Sequence, residues 1–228
     1  MLGDRLRMQT HAQDAGVFIR SMATRGHLGG LARATADAAL VLDAAGKDVI
    51  IIETVGVGQD EVDIIRTADV SVVTLVPGTG DEVQALKAGI MEIPDVIVVN
   101  KRDHPLAEAM QADVRQALSL GPAAPWQPPV LMTEALRGDG IAELWDAVGA
   151  HRAHLESAGL LEERRRRNLA AEVFAVASAR ARRHLEASVA ADPELRALLE
   201  RVERRELDPL SAVHEILRTV FGVIPERD

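Results

Sequence analysis

Asp95-Val96-Ile97-Val98-Val99-Asn100-Lys101-Arg102-Asp103 decides how this chain is read. Val96 to Val99 is an unbroken β-branched run, the pattern of a strand buried on both faces. The polar tetrad Asn100–Asp103 follows at once, at the strand's C-terminal end, where open α/β sheets bind ligands. An Asp placed there can accept two hydrogen bonds from guanine, one from its ring N–H and one from its exocyclic amine. Adenine offers no such pair of donors, so a carboxylate selects guanine. The Asn side chain can tie neighbouring loops together, and the Lys stem can lie along the base. The plainer reading is a polar β–α turn in which Asp103 caps the next helix.

Outward from this stretch, residues 1–155 alternate strand-like and helix-like segments, the mark of a parallel sheet covered by helices. Strands are expected at 15–20, 49–52, 70–76, 96–99 and 130–132. Helices are expected at 28–45, 60–67, 83–90, 106–118 and 141–155. Gly46 is placed as a helix C-cap. Beyond residue 155 the texture changes to Arg, Glu, Ala and Leu. Residues 156–228 read as a helical arm, with helices at 161–190, 194–204 and 209–221. Asp192-Pro193 and Asp208-Pro209 supply cap-then-proline starts for the last two. The charge run Glu162–Asn168 reads as a solvated helix face, or alternatively as a basic surface for an acidic partner. Apolar residues recur at helical spacing through the arm, including Leu185, Val189, Leu195, Leu198, Val213, Ile216 and Val220. Such faces bury themselves against their own core or a second copy.

Composition narrows the function classes. The chain has 228 residues, 47% hydrophobic and 27% charged, within the range of globular proteins. Aromatics are 2% and Tyr is absent, which argues against base-stacking platforms for single-stranded nucleic acid. A formal charge of −9 argues against a DNA partner. With zero Cys there is no disulfide, iron–sulfur cluster or thiol chemistry, which fits a cytoplasmic protein. No apolar run approaches the roughly 20 residues needed to span a bilayer. The His residues show no metal-ligand spacing. Trp126 and Trp145 read as packing residues.

Asp48-Val-Ile-Ile-Ile-Ile-Glu53 is a second buried-strand pattern, closed by a carboxylate and followed by Thr54-Val-Gly-Val-Gly-Gln59. Gly56 lets backbone N–H groups approach an anionic phosphate. Together with Asn-Lys-Arg-Asp, this segment resembles the P-loop GTPases that chaperone methylmalonyl-CoA mutase, the MeaB/ArgK-type proteins once labelled transport ATPases. The resemblance extends through Leu2–Met8, Thr24–Gly30, Gly78–Asp81 and Gly140–Trp145, and so covers roughly residues 2–160. It implies a P-loop GTPase-like, mostly parallel sheet covered by helices.

The resemblance also implies roles. Asp4 lies near a Mg²⁺–phosphate site, although alone it reads as a surface Asp. Glu53 holds the Mg²⁺ shell and poises the water, where it would otherwise cap a turn. Gln59 orients the attacking water. Pro77–Glu82 forms an additional switch, with Lys87 able to offset charge developing in phosphoryl transfer. Its plainer reading is a Gly-rich β–α turn with an exposed Lys. Thr24–Gly30 is an effector loop. Met132–Gly138 cradles guanine, with Glu134, Ala135 and Leu136 in the loop. The Ala135 N–H is the donor to the base, and Glu134 stands where Ser is usual.

No G-x-x-x-x-G-K-[S/T] motif occurs in the chain. That motif's backbone and Lys cradle the phosphates, so the first strand and P-loop are expected to be missing and hydrolysis impaired. The implied activity is Mg²⁺-dependent hydrolysis of GTP to GDP and phosphate. It would gate cobalamin loading or protection of methylmalonyl-CoA mutase or a related acyl-CoA mutase, with a homodimer formed through the arm. The alternative is a non-hydrolysing interaction module that keeps the arm and the partner surface.

Overall fold

Val96–Val99 forms the central strand of a three-stranded parallel sheet in the computed structural model, which describes residues 8–11, 13–22, 33–54, 67–78, 94–121 and 124–222. We label it β2. It lies between β1 (Val72–Leu75) and β3 (Val130–Met132). Val72 faces Val96 and Leu75 faces Val99 on one side, while Ile97 faces Val130 and Val99 faces Met132 on the other. All four β2 residues are at most 2% exposed, as a central parallel strand requires. The pleat divides them. Ile97 and Val99 meet Ala107, Met110 and Val114 of helix α2 (Ala107–Ser119), together with Leu75 and Val130. Those helical positions recur at i, i+3 and i+7, one face of a helix. Burial of Met110 or Val114 contributes roughly 1.5–3 kcal/mol each, and that of the smaller Ala107 less. Gln111 Nε2 and Arg115 Nη2 also donate to the Val130 carbonyl at 2.9 and 3.3 Å, fastening the helix to the edge strand.

Helix α1 (Arg33–Ala44) precedes the sheet. It ends as expected at Gly46, whose φ of 78° lets the Gly46 and Lys47 N–H groups turn back to the Asp43 and Leu42 carbonyls. Helix α3 (Ile141–Ser157) packs against β2. Helix α4 (Leu160–Ala191) follows, then α5 (Pro193–Glu203) and α6 (Pro209–Phe221). Asp192 and Asp208 cap α5 and α6 by accepting from Glu194 N at 2.8 Å and Ser211 N at 3.0 Å. Proline stands at the start of both helices.

Two expected strands differ. Residues 15–20 and 49–52 belong to no strand. In the second run Val49 is 52% and Ile51 85% exposed. A strand needs a ladder partner, and among the described residues β1 pairs only with β2. The expected helices at 60–67 and 83–90 fall almost entirely outside the described residues.

The chain divides into two compact units, Met1–Asn168 and Leu169–Asp228. The change of sequence texture lies near residue 156. Contacts of Arg164 and Arg165 carry the first unit further. Arg164 reaches the Asp95 carboxylate at 3.0 and 3.3 Å, and Arg165 pairs with Asp69 at 2.7 Å. Asp95, at the N-terminal end of β2, is the hub of a buried cluster. It accepts from Ser71 N at 2.8 Å and Ser71 Oγ at 2.9 Å, and lies 3.1 Å from His151 Nε2. The Trp126 indole N–H donates to the Asp95 carbonyl at 2.8 Å, and its ring meets His151 edge-on at 4.6 Å. His151 Nε2 also lies 3.3 Å from Arg164 Nη1. It donates to Asp95 or accepts from Arg164, not both at once. Burial, partly opposed by Asp95, holds the His151 pKa below its ordinary value.

Candidate functional site

The C-terminal ends of the three strands converge on Asn100. Its backbone N–H donates to Leu75 O at 2.8 Å, which joins it to β1. Its side-chain oxygen accepts from Thr133 Oγ1 at 3.1 Å and from Ala135 N at 3.2 Å, which joins it to the loop after β3. Arg102 N donates to Thr133 O at 2.9 Å. The Asn100–Asp103 and Thr133–Gly140 loops are therefore stitched together by three hydrogen bonds among Asn100, Thr133, Arg102 and Ala135. The expected loop-tying role of Asn100 is thus visible as bonds. Thr133 is its direct partner and is 2% exposed.

Lys101 adopts φ 56°, a left-handed conformation that costs a non-glycine residue about 1–2 kcal/mol. The turn it makes is closed by His104 N donating to Lys101 O at 2.8 Å. Asp103, on the outside of this turn, is exposed. It does not cap α2: the helix starts after Leu106 with no side-chain cap, and it is His104 Nδ1 that accepts from Leu106 N at 3.2 Å. The plainer reading of Asp103 as a helix cap is thereby excluded. Its carboxylate makes no hydrogen bond or ion pair among the described residues. His104 carries its proton on Nε2, because Nδ1 is the acceptor. That nitrogen lies 3.5 Å from where a Cβ on Gly78 would stand, so the Pro77-Gly78 turn after β1 lies against the same loop.

The opposing loop is rigid for backbone reasons. Glu134 N donates to Asp139 O at 2.9 Å, and Arg137 N and Gly138 N both donate to Glu134 O. Gly140, at φ 77°, passes so close to β3 that a Cβ would come within 2.3 Å of Met132 O. Glu134 is buried at 8% exposure, and its carboxylate is ion-paired to Arg137, which also reaches Asp139 Oδ2 at 3.2 Å. Leu136, expected in the same loop, is 98% exposed at its tip. The Ala135 N–H, expected to serve a base oxygen, donates to Asn100 here, so a base would share that donor. Sequence reasoning passed over Thr133, His104 and Arg137. Each acts through a partner distant in the chain or through local backbone, and no motif marks them.

Of the other expected site residues, Glu53 is exposed just after the 49–52 run and makes no hydrogen bond or ion pair among the described residues. Asp4, Gly56, Gln59 and Lys87 lie outside the described residues. Among those described, no group of three metal-ligating side chains occurs, and no helix is long and apolar enough to cross a membrane.

Comparison with known proteins bears on the same loops. The model of the methylmalonyl-CoA mutase-associated GTPase MeaB matches residues 1–190. The chain belongs to this family. A Pyrococcus abyssi protein, provisionally named a GTPase, is 49% identical over 226 residues, which is 97% of this chain and 69% of that protein. The Escherichia coli GTPase ArgK is 33% identical over 95% of this chain and 67% of its own. The mouse mitochondrial methylmalonic aciduria type A homolog is 38% identical over 72% of this chain and 41% of its own. Among solved structures, a LAO/AO transport system kinase superposes with a TM-score of 0.68 at 29% identity, over 83% of this chain. The chain spans 63% of that structure's chain. The expected α/β architecture of a P-loop GTPase is therefore found.

Proposed function

We propose that this family member binds guanine nucleotide through Asn100, Lys101, Asp103 and the Glu134–Leu136 loop, and takes part in Mg²⁺-dependent hydrolysis of GTP to GDP and phosphate. One observation carries the reading. Asn100 is locked by Thr133 and Ala135 while the Asp103 carboxylate of the same loop is exposed, has no bond among the described residues and is not spent on the helix start. Such a carboxylate on a fixed loop is suited to two parallel bonds from one base edge. Lys101 precedes it in the same loop, in a left-handed turn closed by His104 N, and the Ala135 N–H is bound to Asn100.

Glu53 is the described residue suited to Mg²⁺. It is a hard oxygen donor, exposed and without a bond among the described residues, and Mg²⁺ binds through one or two carboxylates together with substrate phosphates. Bound there, the ion would offset phosphate charge. Asp4 is a second candidate ligand, and Gly56, Gln59 and Lys87 are assigned to the phosphate end of the same site. The chain has no G-x-x-x-x-G-K-[S/T] motif, so turnover by residues 1–228 alone is expected to be slight. As the family's description supports, the partner is methylmalonyl-CoA mutase or a related cobalamin-dependent acyl-CoA mutase, whose cofactor loading or protection the nucleotide state would gate. A homodimer through residues 156–228 completes the reading, and light scattering measures it.

The decisive test is Asp103→Asn. The Asn amide offers a donor where Asp offered an acceptor, which suits the 2-oxo group of xanthine in place of the 2-amino group of guanine. Competition between GDP and XDP should reverse in favour of XDP. A variant that still prefers GDP removes Asp103 as the base reader.

A further inference from the structure

Glu134 occupies an unusual place for an acid. It is 8% exposed, directly after Thr133, whose carbonyl accepts from Arg102 N. Asp103 directly follows Arg102. Glu134 and Asp103 therefore each lie one residue beyond the same hydrogen bond, on facing loops. Two carboxylates so placed repel each other, and a buried one without a partner is costly. Arg137 answers both problems. Its guanidinium is ion-paired to Glu134 and, at 3.2 Å, to Asp139 Oδ2. Those two acids are the ends of the backbone bridge that closes the loop, Glu134 N to Asp139 O. Ala135, whose N–H reaches Asn100 Oδ1 at 3.2 Å, is carried inside that closed loop.

We propose that Arg137 is a positioning residue for guanine recognition: by neutralising Glu134 and bridging it to Asp139, it holds the Ala135 N–H and Asn100 in place and keeps the charge of Glu134 away from Asp103. This rests on the guanine-site reading above. Arg137 touches no base itself. Its own side chain is 63% exposed, so by itself an exposed pair contributes little. The effect comes from what its loss leaves behind, an unpaired buried acid beside the base reader.

The test compares GDP binding by calorimetry for the unaltered chain, Arg137→Gln, Arg137→Lys, Glu134→Gln and the double variant Arg137→Gln/Glu134→Gln. Arg137→Gln is expected to weaken GDP by about tenfold, the scale of couplings between touching charged groups. The double variant should recover most of that loss, because the stranded acid is gone, and Arg137→Lys should fall between. Amide exchange supplies a second readout that needs no nucleotide. Exchange at Ala135 should quicken in Arg137→Gln while amides of β2 and β3 keep their protection. Unchanged GDP affinity in Arg137→Gln, or a double variant as weak as the single, overturns the inference and leaves the guanine site standing. An unaltered chain that binds GDP no better than ADP overturns the guanine reading, and this inference with it.

Discussion

Replacing Asp95 by Asn tests whether the buried cluster at the foot of the sheet holds the first unit together. Asp95 and Arg164 are only 13% and 11% exposed, and the Arg164 Nε atom has no partner among the described residues. Asn keeps one acceptor oxygen for Ser71. It turns an amide NH₂ towards the guanidinium or the Ser71 N–H, and removes the charge that balances Arg164. Removing one member of a buried ion pair costs about 3–5 kcal/mol, chiefly because the other charge stays buried and uncompensated. Domains are stable by only about 5–15 kcal/mol. With a urea slope of about 2 kcal/mol/M, the midpoint should fall by about 1.5–2.5 M. Tryptophan emission is a suitable probe, since Trp126 donates to the Asp95 backbone carbonyl, a bond the substitution leaves intact. Arg152→Gln is the control. It breaks a pair with Glu156 in which both side chains are more than half exposed, and such pairs are worth about 0.2–1 kcal/mol. An Asp95→Asn midpoint within the control's shift would refute the argument.

Two further outcomes follow from the same geometry. His151 is held below its ordinary pKa of 6.5, first by burial and then by Arg164 and His154 against the pull of Asp95. Below pH 6.5 the unfolded chain therefore binds a proton that the folded chain refuses, so stability present above that pH falls as acid is added, by at most about 1.4 kcal/mol per pH unit. His151→Phe should flatten this slope in urea melts between pH 6.5 and 5, and an unaltered slope would show that other groups set it. Gly140→Ala should destabilise by about 3 kcal/mol, because the left-handed backbone and the approach of Met132 O at 2.3 Å both oppose a Cβ. Gly138→Ala, with φ 82° and open space, should cost about 1–2 kcal/mol, and equal thermal shifts for the two would remove the close approach as a cause.

How far the sequence revealed this molecule depended on whether a feature's cause was local. Val96–Val99 and Val130–Met132 were legible because strands buried on both faces read as plain apolar runs. The starts of α5 and α6 were legible because cap and proline act within one turn. The run at 49–52 looks the same as those strands, yet periodicity says only that a segment wants burial, not what will cover it. The stretch Glu162–Asn168 was readable as a solvated face, and Arg166 and Arg167 behave so. Arg164 does not, because its acceptor lies 69 residues earlier. In the candidate site, Asn100 and Asp103 could be found from their spacing after a strand. Thr133 and Arg137 could not, since their importance comes from which loop the sheet brings opposite them.

One consequence of β2 concerns length rather than chemistry. The strand begins at Asp95, committed to Ser71, His151 and Arg164, and ends at Asn100, committed to Thr133 and Ala135. The span is about 17 Å at roughly 3.3 Å per residue. It therefore acts as a ruler fixed at both marks. Adding or deleting one residue between 96 and 99 would misplace one commitment and turn every remaining side chain to the wrong face. In the connection between α2 and β3, Trp126 is itself committed to the Asp95 carbonyl, so this chain should accept added length on the α2 side of Trp126 and refuse it within the strand.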